Sequence, residues 1–329
     1  MPQTFAATDA VELAVVERSG FVESRHAGVA LVLAADGTIA EKLGDPSALI
    51  LPRSSLKPLQ ALACLSAGVA LDGERLGLAT ASHSGTDRHV AVVRDILSLA
   101  ELGEDALGCP AAWPSDTATR DEMVRELGQP ARIRMNCSGK HATMLLTCVV
   151  NGWEPEGYLA PQHPVQILVR ETVERLIGEK VAATAVDGCG APVYAMTLFG
   201  LARAIHRIGN SSTTSPFALH RSAGALVEAV RADPWTIDGP GRADTIAIER
   251  LGVFAKGGAE GVMVMVAPNG TTVALKMLDG SGRAATAVAL RLLERHGALT
   301  APDVADTMSR LPLAVTGGGQ DVGAIRPAF

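Results

Sequence analysis

Apolar and polar positions along the chain follow two periods. The apolar run over 28–35 meets Asp36-Gly37 and resumes through Thr38, Ile39 and Ala40, which predicts strand, tight turn and strand. A second hairpin is predicted near the other end, where 261–267 reaches Pro268-Asn269-Gly270 and continues over 271–277. Asp-Gly and Asn-Gly supply the positive φ angles that such turns require. Pairing both hairpins in one mostly antiparallel sheet is the economical way to cover their edges. Between and after them the spacing moves towards 3.6 and predicts helices over 58–66, 89–97, 141–150, 164–177, 194–208, 216–231 and 282–293. In the fourth of these, Val165, Leu168, Val169, Val173, Leu176 and Ile177 share one face. The expected fold is α/β of the α+β type. Its antiparallel sheet is built from about 15–70 and 250–329, flanked by helices, with a mainly helical part over about 71–249. No repeat or linker divides the halves, so 1–329 reads as a single unit.

Composition narrows the classes. With 47% hydrophobic and 19% charged residues, the chain can bury a large core and is not disordered. A net charge of −6 and only 11 aromatics leave no footprint for nucleic acid. The apolar runs are too short to span a bilayer, and Asp9, Glu12, Glu17 and Arg18 interrupt any signal-peptide pattern. Five cysteines make no disulfide framework, so a reducing, cytoplasmic setting is expected. The cations are lopsided: 23 arginines against six lysines. Lysine is the cation that burial can neutralise and turn into a base. Lys57, Lys140 and Lys256 each stand in a Ser-, Cys- or Gly-marked context, whereas Lys42, Lys180 and Lys276 do not and read as surface or strand-edge residues.

Ser54 and Lys57 are three apart, so on a helical turn their tips can meet and Lys57 can serve as base to the hydroxyl. Ser54 at a helix start would also lie beside free N–H groups able to hold an oxyanion, although Ser54 also suits a plain N-cap. Ser82-His83-Ser84 follows the apolar run 76–81 and reads as a polar loop at a strand end, with Ser84 or Thr86 capping the next helix. Cys137 and Cys189 sit in Gly-bearing polar loops beside Lys140, His141 and Asp187, a setting for a reactive thiol or a soft metal. Cys64 and Cys148 read as core thiols, and Cys109 has no clear place. Lys256-Gly257-Gly258 leads into a strand, where glycine lets backbone approach a ligand. No P-loop or dinucleotide fingerprint is present.

In this order, the segments resemble the rhizobial-type (class 3) L-asparaginase family. The resemblance runs from about Val15 to the C-terminus. It rests on Arg53-Ser54-Ser55-Leu56-Lys57-Pro58, Ala81-Ser82-His83, Asn136-Cys137-Ser138-Gly139-Lys140-His141, His163-Pro164, Asp187-Gly188-Cys189-Gly190, Lys256-Gly257-Gly258 and Asp279-Gly280-Ser281-Gly282-Arg283. It implies a fold similar to serine β-lactamases and serine-dependent glutaminases, and hydrolysis of L-asparagine to L-aspartate and ammonia. Carried onto this chain, it implies Ser54 as nucleophile with Lys57 as base, and Ser82 with Lys256 as a second Ser–Lys pair. It further implies Arg53, His141, Asp187, Gly257 and Gly258 on the substrate, and Cys137, Lys140 and Cys189 as ligands of Zn2+. A homodimer is implied as well. Ser84 lies two residues from Ser82, and the sequence leaves open which of them faces Lys256. Alternatives within enzymes are a glutaminase or another Ser–Lys acyl hydrolase; outside them, a non-catalytic zinc- or amino-acid-binding protein.

Overall fold

In the computed structural model, which describes residues 2–329, apolar runs from both ends of the chain meet in one eight-stranded antiparallel sheet. The strands of the chain are β1 (Val11–Arg18), β2 (Phe21–Leu33), β3 (Ile39–Leu43), β4 (Leu49–Ile50), β5 (Ala183–Val186), β6 (Pro192–Thr197), β7 (Phe254–Gly258), β8 (Val262–Val266), β9 (Thr272–Met277), β10 (Ala314–Gly317) and β11 (Gln320–Pro327). The large sheet runs β10-β11-β1-β2-β9-β8-β7, with β3 also on β2. The two predicted hairpins join through β2 and β9, whose register pairs Val29 with Lys276 and Leu33 with Thr272. Both strands are buried on both faces there, which is why each reads as a continuous apolar run rather than an alternation. A short sheet, β4-β6-β5, lies apart from it.

The helices are α1 (Lys57–Ser66), α2 (Gly73–Ala79), α3 (Asp87–Leu99), α4 (Thr117–Arg125), α5 (Ser138–Val150), α6 (Pro164–Ile177), α7 (Leu198–Gly209), α8 (Ala218–Ala232), α9 (Ala243–Leu251), α10 (Ala285–Arg295) and α11 (Ala301–Met308). Helix α6 has the predicted bounds. His163 caps it by accepting the Val165 N–H, Pro164 opens it, and Gly178 at φ +66° ends it. Helices α7 and α10 pack on β8 and β9, while α1 is enclosed by α5, α6 and α8.

Several sequence expectations differ from the structure; Lys256-Gly257-Gly258, read as leading into a strand, lies within β7 itself. The helix expected over 194–208 begins only at Leu198, because Tyr194, Ala195 and Met196 pair with β4 and β5 as strand β6. Thr197 makes the boundary by accepting the Gly200 N–H at 2.8 Å. The run 76–81, taken as a strand end, instead forms the end of the short helix α2, which stops at Ala79 and is capped by Thr80. Lys276, which in sequence has no chemical context, is buried, and its amine donates to Glu260 O and Met277 O.

Candidate active site

Ser54 lies in a 3-10 turn, Arg53–Leu56, that runs directly into α1 and rests on β7 and β8. Arg53 enters this turn at φ +50°, a left-handed conformation that costs a non-glycine residue about 1–2 kcal/mol. The turn is held by Ser55, whose hydroxyl donates to Lys256 O at 3.0 Å. Gly258 permits that contact: a Cβ there would stand 2.7 Å from Pro52 O and 3.1 Å from Ser55 Oγ. Glycine at 258 therefore answers to protein packing against the serine turn, and at 257 the neighbour is the Asp244 carboxylate. Gly258→Ala is expected to push the turn off β7, with about 1–3 kcal/mol of destabilisation. A thermal melt checks the loss of stability, and an activity assay on the surviving fold checks displacement of Ser54.

Beneath the turn, Lys57 is almost fully buried, while Ser54 and Ser82 keep partial exposure. The amines thus form the floor of the site and the hydroxyls its accessible rim. The Lys57 amine donates to Ala81 O, lies 2.9 Å from Ser82 Oγ and 3.4 Å from Asn136 O. Burial pulls it down to about 8; Cys137 opposes that shift, and the Lys256 and Lys140 charges add to it. A neutral amine suits these partners: two N–H groups for the two carbonyls and a lone pair for the Ser82 proton.

The pairing differs from the one expected. Ser82 faces Lys57, whereas the Lys256 amine donates to Gly257 O at 2.7 Å and lies 4.0 Å from Asp244 Oδ2. Ser84 is buried against Gly239 with its hydroxyl unpartnered, and the cap of α3 is Thr86. His83 donates from Nε2 to Ser138 Oγ at 2.9 Å, since its Nδ1 accepts the Gly85 N–H. Burial, with His89 and Lys57 nearby, keeps it neutral. The chain between Ser82 and Ser84 is thereby tied to the start of α5.

The start of α5 and the turn between β5 and β6 bring the thiols together. The Lys140 amine donates to Cys189 Sγ at 3.2 Å, and Asp187 Oδ2 lies 3.8 Å from the same sulfur. A hydrogen bond from Cys189 holds the Cys137 thiol well below its ordinary value despite burial, and Cys189, as the donor, is raised. Arg53 donates to Asp187 Oδ1 at 2.7 Å, which keeps that carboxyl low against the opposing effect of burial. His141 is buried beside Lys140. The Tyr158 hydroxyl accepts the Gly108 N–H and lies 2.5 Å from His141 Nδ1, and His141 Nε2 is buried without a partner. Arg53, Ser54, Lys57, Ser82, Gly257, Gly258 and Lys256 lie on the serine side and Cys137, Lys140, His141, Asp187 and Cys189 on the thiol side; Ser54 is joined to Lys57 through its backbone carbonyl, which accepts the Lys57 N–H, and the Cys137 thiol acts on the Lys57 amine.

Sequence reasoning missed Asn136, whose carbonyl accepts from the Lys57 amine, Tyr158 behind His141, and Asp238 and Asp244 beside Lys256. The adjacency of Asn136 to Cys137 was the one available signal; the others come from distant segments. Cys109, Cys64 and Cys148 are all buried. Burial pushes these thiols up to about 11, 11 and 12 respectively, as befits inert packing.

A family model described as L-asparaginase II matches residues 14–327. Solved structures are more distant. "Crystal Structure Analysis of Mglu in its native form" is 14% identical with a TM-score of 0.46, over 83% of this chain and 65% of that one. "Crystal structure of Bacillus glutaminase in the presence of 4.3M NaCl" is 13% identical with a TM-score of 0.36, over 83% and 92%. The chain spans 67% of a further Mglu chain. No curated protein matches.

Proposed function

From its membership of the L-asparaginase II family, an amide-hydrolase family to which this chain belongs over residues 14–327, we propose that it cleaves the side-chain amide of L-asparagine to L-aspartate and ammonia. The observation that carries the chemistry is a buried lysine amine, drawn down to about 8, set 2.9 Å from a rim serine and three residues from another. In the favoured route neutral Lys57 takes the Ser54 proton as Ser54 attacks the carboxamide carbon. N–H groups of the turn stabilise the oxyanion. The C–N bond breaks as Lys256 delivers a proton to the nitrogen and ammonia leaves. Water then attacks the aspartyl ester, its proton passing to Lys256, while Ser54 recovers its own from Lys57. A second reading has Ser82 as nucleophile, and it is favoured by one observation, the direct Lys57–Ser82 contact. Arg53 supplies a cation for the substrate carboxylate, and His141 Nε2 is a buried polar atom without a protein partner.

Among the described residues no group of three or more His, Cys, Asp and Glu side chains could share a metal. Two thiols and an amine nevertheless suit zinc. Tetrahedral Zn–S and Zn–N bonds place N and S about 3.6 Å apart, against 3.2 Å between Lys140 Nζ and Cys189 Sγ. Cys137, Lys140 and Cys189 would hold the ion, with Asp187 beside them. When bound, zinc supplies Lewis-acid orientation of the substrate. Cys137→Ser is expected to lower zinc from about one ion per chain to near zero, since the thiolate is the ligand; metal analysis of purified protein checks it. A subunit pairing is proposed as well, and sedimentation equilibrium tests it. No helix is long and apolar enough to cross a membrane among the described residues.

The deciding experiment is ammonia release from asparagine and glutamine side by side. The two substrates differ by one methylene, which a pocket separates by roughly 10–200-fold. Equal kcat/KM for both, or preference for glutamine, overturns the asparagine assignment and leaves the amide-hydrolase chemistry standing.

A further inference from the structure

Two of the site's buried lysines, Lys57 and Lys256, lie on the serine side, and their surroundings differ. The Lys57 amine meets carbonyls, a hydroxyl and a thiol. The Lys256 amine instead faces Asp244, whose Oδ2 is 4.0 Å away and nearly buried. Asp244 stands in the first turn of α9, where the helix dipole favours a negative charge, and α9 packs on β7, the strand that carries Lys256. The same Oδ2 accepts the Gly257 N–H at 2.6 Å, so one carboxylate fixes both the backbone after Lys256 and the field around its amine. Asp238 adds a second carboxyl close by. Burial and the Asp244 charge push the Asp238 carboxyl up to about 6. Nothing in the sequence joins residue 244 to residue 256; only the packing of α9 on β7 does so.

We infer that Asp244 is a positioning residue that holds Lys256 as an ammonium, dividing the two lysines into a neutral base and a charged proton donor. The inference rests on the amide-hydrolase reading above and deepens it. In the amide step the Lys256 ammonium loses one proton to the departing nitrogen, the C–N bond breaks and ammonia leaves. In the ester step the attacking water returns one proton to the same amine. A carboxylate at 4.0 Å favours the charged form at the start of each cycle.

The test compares Asp244→Asn, Asp238→Asn/Asp244→Asn, Lys256→Gln and Asp244→Asn/Lys256→Gln by ammonia release from asparagine. Asparagine at 244 can still accept the Gly257 N–H, so the backbone contact survives while the charge is lost. The expected result is a fall in kcat of about 10–100-fold, with KM within about twofold, in keeping with loss of assistance to proton transfer. The asparagine variant should cost almost nothing further in the Lys256→Gln background, because a residue acting through another gives a non-additive cycle. Full activity in Asp238→Asn/Asp244→Asn alongside an inactive Lys256→Gln overturns the inference and leaves the hydrolase reading intact. The same fold-loss from Asp244→Asn with and without Lys256 overturns it too. A wild-type chain that releases no ammonia from asparagine or glutamine sinks the underlying reading, and this inference with it.

Discussion

Lys57→Met is expected to lower kcat on asparagine by about 10³-fold or more while the chain still folds, since it removes a general base whose assistance is typically worth 10²–10⁴. Methionine keeps the unbranched stem in a pocket where the lysine is almost fully buried, and it relieves the cost of a buried amine. Lys57→Arg should be as inactive despite conserving charge. A guanidinium stays protonated and offers no lone pair, and its fork does not match the acceptors Ala81 O, Ser82 Oγ and Asn136 O. The wild type carries a pH signature of the same group. With the amine drawn down to about 8, kcat/KM should climb roughly tenfold per pH unit below that value, because only the neutral form accepts a proton, and should level off above it. A profile flat from pH 6 to 9, or a Lys57→Arg variant with most of its activity, would remove Lys57 from the role of base.

Ser54→Ala and Ser82→Ala are expected to differ in kind. If Ser54 is the nucleophile, its alanine variant loses about 10⁴-fold or more and forms no acyl-enzyme, on the precedent that a nucleophile's removal costs as much as loss of the whole unit. Ser82→Ala then keeps the acyl-enzyme and loses a smaller factor, because what disappears is the hydroxyl at 2.9 Å that orients Lys57. Quenching with asparagine and locating the aspartyl adduct by peptide mass spectrometry separates the two. An adduct on Ser82, or one surviving in Ser54→Ala, transfers the nucleophile to Ser82. The strained Arg53 sharpens the expectation for Ser54: a residue held at φ +50° just before a serine at a turn presents the next side chain outward, and such outliers collect at functional sites.

Much of this site was legible because its signals are local. Ser54 and Lys57 announce themselves by spacing on one turn, and Lys140 lies three residues after Cys137 at the start of α5. The two hairpins were legible for the same reason, since Asp36-Gly37 and Asn269-Gly270 dictate turns whatever surrounds them. Helix α6 carries its own cap, apolar face and terminator. Strands β10 and β11 were not legible, because their half-exposed residues show neither period clearly.

Residue types and short-range spacing were therefore settled by the chain itself: which lysines stood in Ser-, Cys- or Gly-marked contexts, which thiols stood in polar segments, and where the backbone turned. Partnership was not. Ser82 meets Lys57 rather than Lys256 because α2, α5 and the serine turn converge there, and no spacing between residues 57 and 82 encodes that. Lys276 proved buried, and Asp244 reached Lys256, only once β9 and α9 had found their neighbours. The physical reason is range. Turns and caps are decided by hydrogen bonds across three or four residues, whereas the surroundings of a buried charge are set by whichever distant segments pack over it.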